Sequence, residues 1–177
     1  ENICEIVIPP LSCTDDSTIT FIHDVQGDGA TGPLDGQVVV IDGVVVGDFQ
    51  GGGLGANGDL NGFYLQEEPA DQDGNPLTSE GVLVYAPGSV DVQNGDEYVT
   101  SGGASSMTQL RHESLDVCGP SADAPPATEV TLPVAAISDL EAYEGMLVTF
   151  PQSLSIAEFF NFDRFNETVL ATDRQYQ

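Results

Sequence analysis

Four oxygen-bearing side chains stand close together in the acidic loop after the second predicted strand. Asp71, Asp73 and Asn75 alternate along the chain, and Glu80 follows shortly after them. Oxygen ligands at alternating positions begin the loop of an EF-hand calcium site. Pro76 stands where that loop needs glycine, and its final position holds valine instead of a bidentate glutamate. The loop is therefore no EF-hand; the alternatives are a looser Ca²⁺ site at these four residues and a solvated acidic loop.

Other residues that could do acid–base chemistry are few. His23 and His112 are the two histidines, and neither stands near a signature of a nucleophilic serine or cysteine. Glu141 and Glu144 are neighbours on a predicted short helix. We interpret Glu141 as a capping residue and Glu144 as part of the following turn. No catalytic residue is therefore predicted in this segment.

The charge balance of the chain disfavours nucleic acid as a direct partner. The chain has 29 acidic and 3 basic residues, with a formal net charge of −26, and it contains no lysine. Affinity for nucleic acid comes largely from Lys and Arg that neutralise phosphates, so direct nucleic-acid binding is disfavoured.

No apolar run approaches the ~20 residues of a transmembrane helix, so no membrane span is expected. Because the sequence begins at Glu1 without a signal-peptide pattern, we expect a mature or excised segment.

Three cysteines, Cys4, Cys13 and Cys118, stand outside any CxxC pair. One disulfide and one remaining thiol is the natural count for an exported protein, which predicts an extracellular location. Cys4–Cys13 would close a short loop, whereas Cys13–Cys118 would join the N-terminal arm to the far side of the domain. Spacing alone leaves both pairings open.

The scaffold for these residues is predicted from the β-branched stretch 37–49, which contains two runs of Val and Ile around Asp42-Gly43. Each run is too apolar for an exposed hairpin arm, so we expect one long strand with a bend at this dipeptide. Residues 1–20 are predicted to form an extended arm and residues 21–177 one domain. The remaining predicted elements are strands at 18–23, 62–66, 81–85, 97–110 and 146–150, a helix at 138–143 and a polar hairpin at 154–171.

Five main strands and one short helix predict an all-β fold, a small Greek-key β-barrel of the OB-fold type. A β-sandwich is the alternative. The run that contains Phe159, Phe160 and Phe162 is the best candidate for an exposed partner contact. These aromatic residues lack the interleaved basic residues that stacking on single-stranded nucleic acid requires.

Eight segments carry a family likeness in their order and spacing: 21–27, 36–40, 47–49, 62–66, 71–76, 78–81, 140–150 and 161–177. Together they resemble the OB-fold domain of large secreted bacterial endonucleases. Those proteins carry a C-terminal endonuclease/exonuclease/phosphatase-type catalytic domain. The resemblance covers residues 13–177, and LEAYEGMLVTF at 140–150 is its most specific stretch.

The resemblance implies a disulfide between Cys13 and Cys118, with Cys4 free or joined to another chain. It implies a non-catalytic accessory domain that positions a downstream nuclease domain or a polymeric substrate. Nuclease chemistry of that class needs its own set of metal-holding and general-base residues on a second domain, and only two histidines are present here. The alternative is a structural or self-assembly module of an extracellular filament or surface complex, joined through residues 1–12.

Overall fold

The computed structural model describes residues 13, 18–29, 31–51, 60–105, 109–160, 162 and 168–172. Of the predicted arm at residues 1–20, residues 1–12 and 14–17 lie outside this part of the chain. One short α-helix, a 3-10 helix at Ile137–Tyr143 and nine strands are present in it. The helix α1 spans Ile22–Gln26, and the strands β1 to β9 span Val38–Phe49, Gly62–Gln66, Gly81–Tyr85, Asp96–Ser105, Gln109–Pro120, Thr128–Glu129, Val148–Thr149, Ser155–Glu158 and Val169–Ala171.

The first five strands close into a barrel with the order β1-β2-β3-β5-β4. Every neighbouring pair is antiparallel except β3 and β5, which run parallel. This is a five-stranded Greek-key barrel like the OB fold. The predicted all-β barrel is confirmed, and the sandwich alternative is wrong because the strands form one ring instead of two sheets.

Strand β1 changes its pairing partner along its length. Its first part, from Val38 to Val44, pairs with β4, and its second part, from Val44 to Phe49, pairs with β2. The predicted long bent strand is confirmed, but the register shift falls between Val45 and Gly47 instead of at Asp42-Gly43. Gly43 lies next to Val44, where β1 pairs with both β4 and β2. The close approach of β2 requires glycine there, since a Cβ atom would lie 2.9 Å from the carbonyl oxygen of Gln66.

The barrel interior is filled by side chains that alternate along its strands. Phe63 and Leu65 of β2 and Val82 and Val84 of β3 are completely buried, as their period-2 pattern predicts. Other members of the same cluster come from β1, β4, β5 and α1: Val39, Ile41, Val45, Tyr98, Ala104, Leu110, Ile22 and Val25. The fold therefore buries one continuous apolar core.

The prediction of a strand at 18–23 is wrong, because the chain enters α1 at Ile22. Ile22 and Val25 are three residues apart, so one turn of helix places both side chains on the core. A strand would have sent these two residues to opposite faces. Tertiary packing thus overrides the local β preference of the segment.

The fifth barrel strand is also different from the one predicted. The expected strand at 97–110 is two strands: β4 ends at Ser105 and β5 starts at Gln109. Residues 146–150 contribute only the two-residue β7, which pairs parallel to β6 outside the barrel. Strand β5 was missed because its sequence is polar and half of its residues are exposed, so its pairing with β4 defines it.

The segment after the barrel contains the 3-10 helix and a hairpin. The 3-10 helix starts after Ala136, whose N–H donates to the Asp139 carboxylate over 2.9 Å. Asp139, and not Glu141, is therefore the acid that caps this helix, which corrects the sequence interpretation. Strands β8 and β9 pair antiparallel, which confirms the predicted hairpin.

Candidate functional site

A cluster of ionisable side chains lies where α1 crosses the connection between β2 and β3. In this hairpin Gln66 pairs with Gly81, so Glu67 and Glu80 are the next residues to face each other. The Glu67 N–H donates to the Glu80 carbonyl oxygen over 3.0 Å and extends the ladder by one step. Helix α1 places His23 against both carboxylates.

His23 lies between the two glutamates. Its Nδ1 is 2.8 Å from Glu67 Oε2 and 3.4 Å from Glu80 Oε2. The other oxygen of Glu67 accepts a hydrogen bond from the Ile22 N–H. The side chains of Glu67 and Glu80 are only 3% and 8% exposed, and that of His23 is 12% exposed. The cluster is thus almost fully removed from solvent.

Asp73 reaches the cluster from the loop. One ligating atom each from His23, Asp73 and Glu80 can be chosen so that all three lie within 4.8 Å of one another. The Asp73 carboxylate is itself positioned by the Asn75 N–H at 2.6 Å and the Thr78 hydroxyl at 3.1 Å. The loop therefore folds around Asp73 and presents its carboxylate to the buried pair.

Burial shapes the electrostatics of the cluster. Desolvation, and then the adjacent Glu80 carboxyl, raise the pKa of Glu67 strongly. For Asp73, desolvation acts upward but hydrogen bonds from Asn75 and Thr78 outweigh it and lower the pKa. The Glu80 carboxyl also contributes to the lowered pKa of Asp73. Carboxylates this close need a proton or a cation between them.

The structure brings together only part of the candidate calcium set. Asp73 and Glu80 meet in the cluster, whereas Asp71 is not a member of that group. The Asn75 side-chain oxygen accepts a hydrogen bond from the Leu77 N–H at 3.2 Å and thereby stabilises the turn. Sequence reasoning missed Glu67, whose signal was its position directly after a buried strand.

His112, the second histidine, has a structural role. Its Nδ1 is 3.3 Å from the Thr100 hydroxyl, which donates to the Ser114 carbonyl oxygen at 2.8 Å. Thr100 is completely buried in the barrel wall, and desolvation lowers the pKa of His112. A substrate has no access to this hydroxyl, so the pair is not a nucleophile and its base.

Two further predicted features are located. A disulfide joins Cys13 and Cys118, with their Cα atoms 5.5 Å apart, as the resemblance implied. Cys4 lies outside the described residues and is the one cysteine left by this pairing. The candidate partner-contact residues Phe159, Phe160 and Phe162 are 69%, 85% and 50% exposed.

The neighbouring hairpin of β8 and β9 also exposes large apolar side chains. Ile156 and Leu170 are cross-strand partners, and they are 65% and 49% exposed. We call Ile156, Phe159, Phe160, Phe162 and Leu170 the hairpin patch. Surface patches of large apolar side chains mark sites of interaction.

Comparisons with protein-family models, with curated proteins and with solved structures returned no match for this chain. Within the described ranges, no helix has the length and apolar character that crossing a membrane would require.

Proposed function

We propose that this chain is a non-catalytic accessory domain of a secreted nuclease and that the hairpin patch holds the downstream catalytic domain. The proposal combines the resemblance to secreted endonucleases with one observation, the exposure of the hairpin patch outside a filled barrel. The disulfide supports an extracellular location, because such bonds persist in oxidising compartments.

The barrel offers a scaffold instead of a reaction centre. Its interior is occupied by the apolar core, and a closed barrel of this size leaves no channel. Within the described residues, the ionisable cluster lacks a serine or cysteine nucleophile beside His23. A positioning role fits this arrangement.

An accessory domain of this kind could position either the catalytic domain or the polymeric substrate, and the charge of the chain favours the catalytic domain. A net charge of −26 repels the phosphates of a DNA substrate. Phe159 and Phe160, by contrast, offer apolar area that a protein surface can bury. The catalytic domain is therefore the better partner for the hairpin patch than the polymeric substrate.

The test uses the complete gene product with Phe159→Ser and Phe160→Ser combined. We expect DNA cleavage to fall about tenfold, the loss of one well-packed contact of ~1.4 kcal/mol, with the melting temperature of the barrel unchanged. Val90→Ser is the matched control, since Val90 is 56% exposed in the connection between β3 and β4. The proposal would be refuted if the complete gene product has no nuclease activity. It would also be refuted if the double phenylalanine variant cleaves DNA as fast as the unmodified protein.

The second candidate is a self-assembly module joined through residues 1–12. The observation that favours it is the Cys13–Cys118 disulfide, because it leaves Cys4 to join another chain. Light scattering under oxidising conditions decides this case. A monomer that removal of residues 1–12 leaves unchanged would end the self-assembly reading, whereas a disulfide-linked dimer that Cys4→Ser dissolves would support it.

A further inference from the structure

We propose that His23, Glu67, Asp73 and Glu80 form a binding site for a divalent transition-metal ion. The site does not depend on the nuclease assignment, because its residues lie on α1 and on the connection between β2 and β3. Four observations carry it: an unpartnered buried oxygen, the spacing of the donor atoms, the packing of like charges and the presence of an imidazole.

Glu80 supplies the unpartnered oxygen. The residue is 6% exposed, and its Oε2 is buried without a hydrogen-bond partner. The nearby His23 Nδ1 can carry one hydrogen, and Glu67 Oε2 is the closer acceptor, at 2.8 Å against 3.4 Å for Glu80 Oε2. A buried carboxylate oxygen without a partner is costly, so its position facing His23 and Asp73 indicates a missing cationic partner.

The donor spacing fits one ion. Two ligands bound at about 2.1 Å lie about 3.0 Å apart at a right angle and about 3.4 Å apart in a tetrahedron. The Nδ1 atom of His23 is separated from its two glutamate oxygens by 2.8 and 3.4 Å. The donor atom of Asp73 lies within 4.8 Å of those of His23 and Glu80. Because Asp73 is on an exposed loop, a small movement of its side chain would bring this oxygen to ligand distance.

Charge supplies the driving force. The carboxylates of Glu67 and Glu80 both lie against His23 Nδ1, and that of Asp73 joins the same group. Carboxylates packed this closely need a proton or a cation between them, and a dication meets this need without protonating any of them. Arg111, Arg164 and Arg174 are the only basic side chains apart from the histidines, so lysine cannot neutralise this cluster.

The imidazole selects the type of metal. Calcium prefers six to eight oxygen ligands, whereas an imidazole with a few carboxylates suits Zn²⁺ or Mn²⁺. The cluster offers one nitrogen and three carboxylates. The cation class differs from the Ca²⁺ expected from the Asp71–Asn75 alternation, and the ligand set shares only Asp73 and Glu80 with it.

Thermal unfolding and calorimetry test the site in the full 177-residue chain with Cys4→Ser, which removes the remaining thiol as a zinc ligand. At pH 7 and 0.15 M NaCl we expect Zn²⁺ or Mn²⁺ to raise the melting temperature by about 5–10 °C, with one saturable site by titration. Ca²⁺ at the same concentration should give less than half of this shift. Equal or larger stabilisation by Ca²⁺ would overturn the assigned metal class.

Variants separate the cluster from the acidic surface. Glu80→Gln should raise the melting temperature of the metal-free chain, because it relieves carboxylate repulsion, and should abolish the metal-induced rise. Asp73→Asn, on an exposed side chain that tolerates change, should weaken Zn²⁺ binding at least about tenfold. Asp71→Asn is the matched control and should leave binding unchanged. Absence of a saturable Zn²⁺ or Mn²⁺ site, or equal loss in the Asp71 and Asp73 variants, would overturn the proposal.

Discussion

Gly81 and Gly145 pack backbone against backbone. A Cβ atom on Gly81 would lie 2.5 Å from the Gly145 carbonyl carbon, and one on Gly145 would lie 2.8 Å from that of Gly81. Gln26 and Ser79 donate hydrogen bonds to the neighbouring Glu144 carbonyl oxygen. This contact docks the 3-10 helix segment beside the ionisable cluster, and it explains the glycine in the stretch 140–150.

Gly81→Ala should therefore destabilise the domain by about 1–3 kcal/mol, because the new methyl group displaces backbone atoms. Gly103→Ala on β4 is the control, since nothing lies within 4 Å of a Cβ atom there. Its effect should stay within about 0.5 kcal/mol. Urea unfolding measures both, and equal effects would show that the Gly81–Gly145 contact contributes nothing.

The disulfide should contribute much of the stability. Cys13 and Cys118 are 105 residues apart in sequence, and a cross-link of this span constrains the unfolded chain by about 4–5 kcal/mol. We expect Cys118→Ser in a Cys4→Ser background to lower the unfolding free energy by roughly 2–5 kcal/mol. The Cys4→Ser chain alone is the reference for this urea titration. A difference below about 1 kcal/mol would contradict the cross-link as a main stabilising element.

Asp42 should make stability fall as the pH rises. Desolvation, followed by the charges of Glu68 and Asp71, raises its pKa from 3.8 to about 6. The folded state then binds more protons than the unfolded state between about pH 4 and 6, so this group's contribution is present below pH 4 and lost through pH 6. Solvent screens the half-buried carboxyl, which limits the effect to about 1 kcal/mol.

Asp42→Asn should remove this slope and stabilise the domain at pH 7. Asp91→Asn, which removes one charge from an exposed position, corrects for the general repulsion of an acidic surface. Melting temperatures from pH 4 to 7 give the comparison. If both variants show the wild-type pH dependence, the attribution to Asp42 is wrong.

Direct contact with DNA should be undetectable. With 29 acidic residues against 3 basic ones, the chain has almost no side chains that could replace the counterions of DNA. Fluorescence anisotropy with a duplex oligonucleotide in EDTA and 0.15 M NaCl should show no change up to high micromolar protein. Saturable binding in the low micromolar range would contradict this expectation.

Sequence patterns predicted the barrel better than they predicted the cluster. The Val-rich β1 and the alternating β2 and β3 follow from local periodicity, but β5 is polar and depends on its partner β4. In the cluster, Asp73 and Glu80 stand near each other in sequence, whereas His23 and Glu67 are 44 residues apart. Their meeting depends on the register of β2 with β3 and on α1 replacing a predicted strand, which the sequence alone does not specify.

The most direct test of the accessory role compares DNA cleavage by the 177-residue chain with cleavage by the complete gene product, in the same buffer with Mg²⁺, Mn²⁺ or Zn²⁺. We predict turnover by the complete gene product and none by the chain alone, whether or not its cluster holds a metal ion. Metal-dependent cleavage by the purified chain that Glu80→Gln removes would contradict this, because it would make the cluster a catalytic centre.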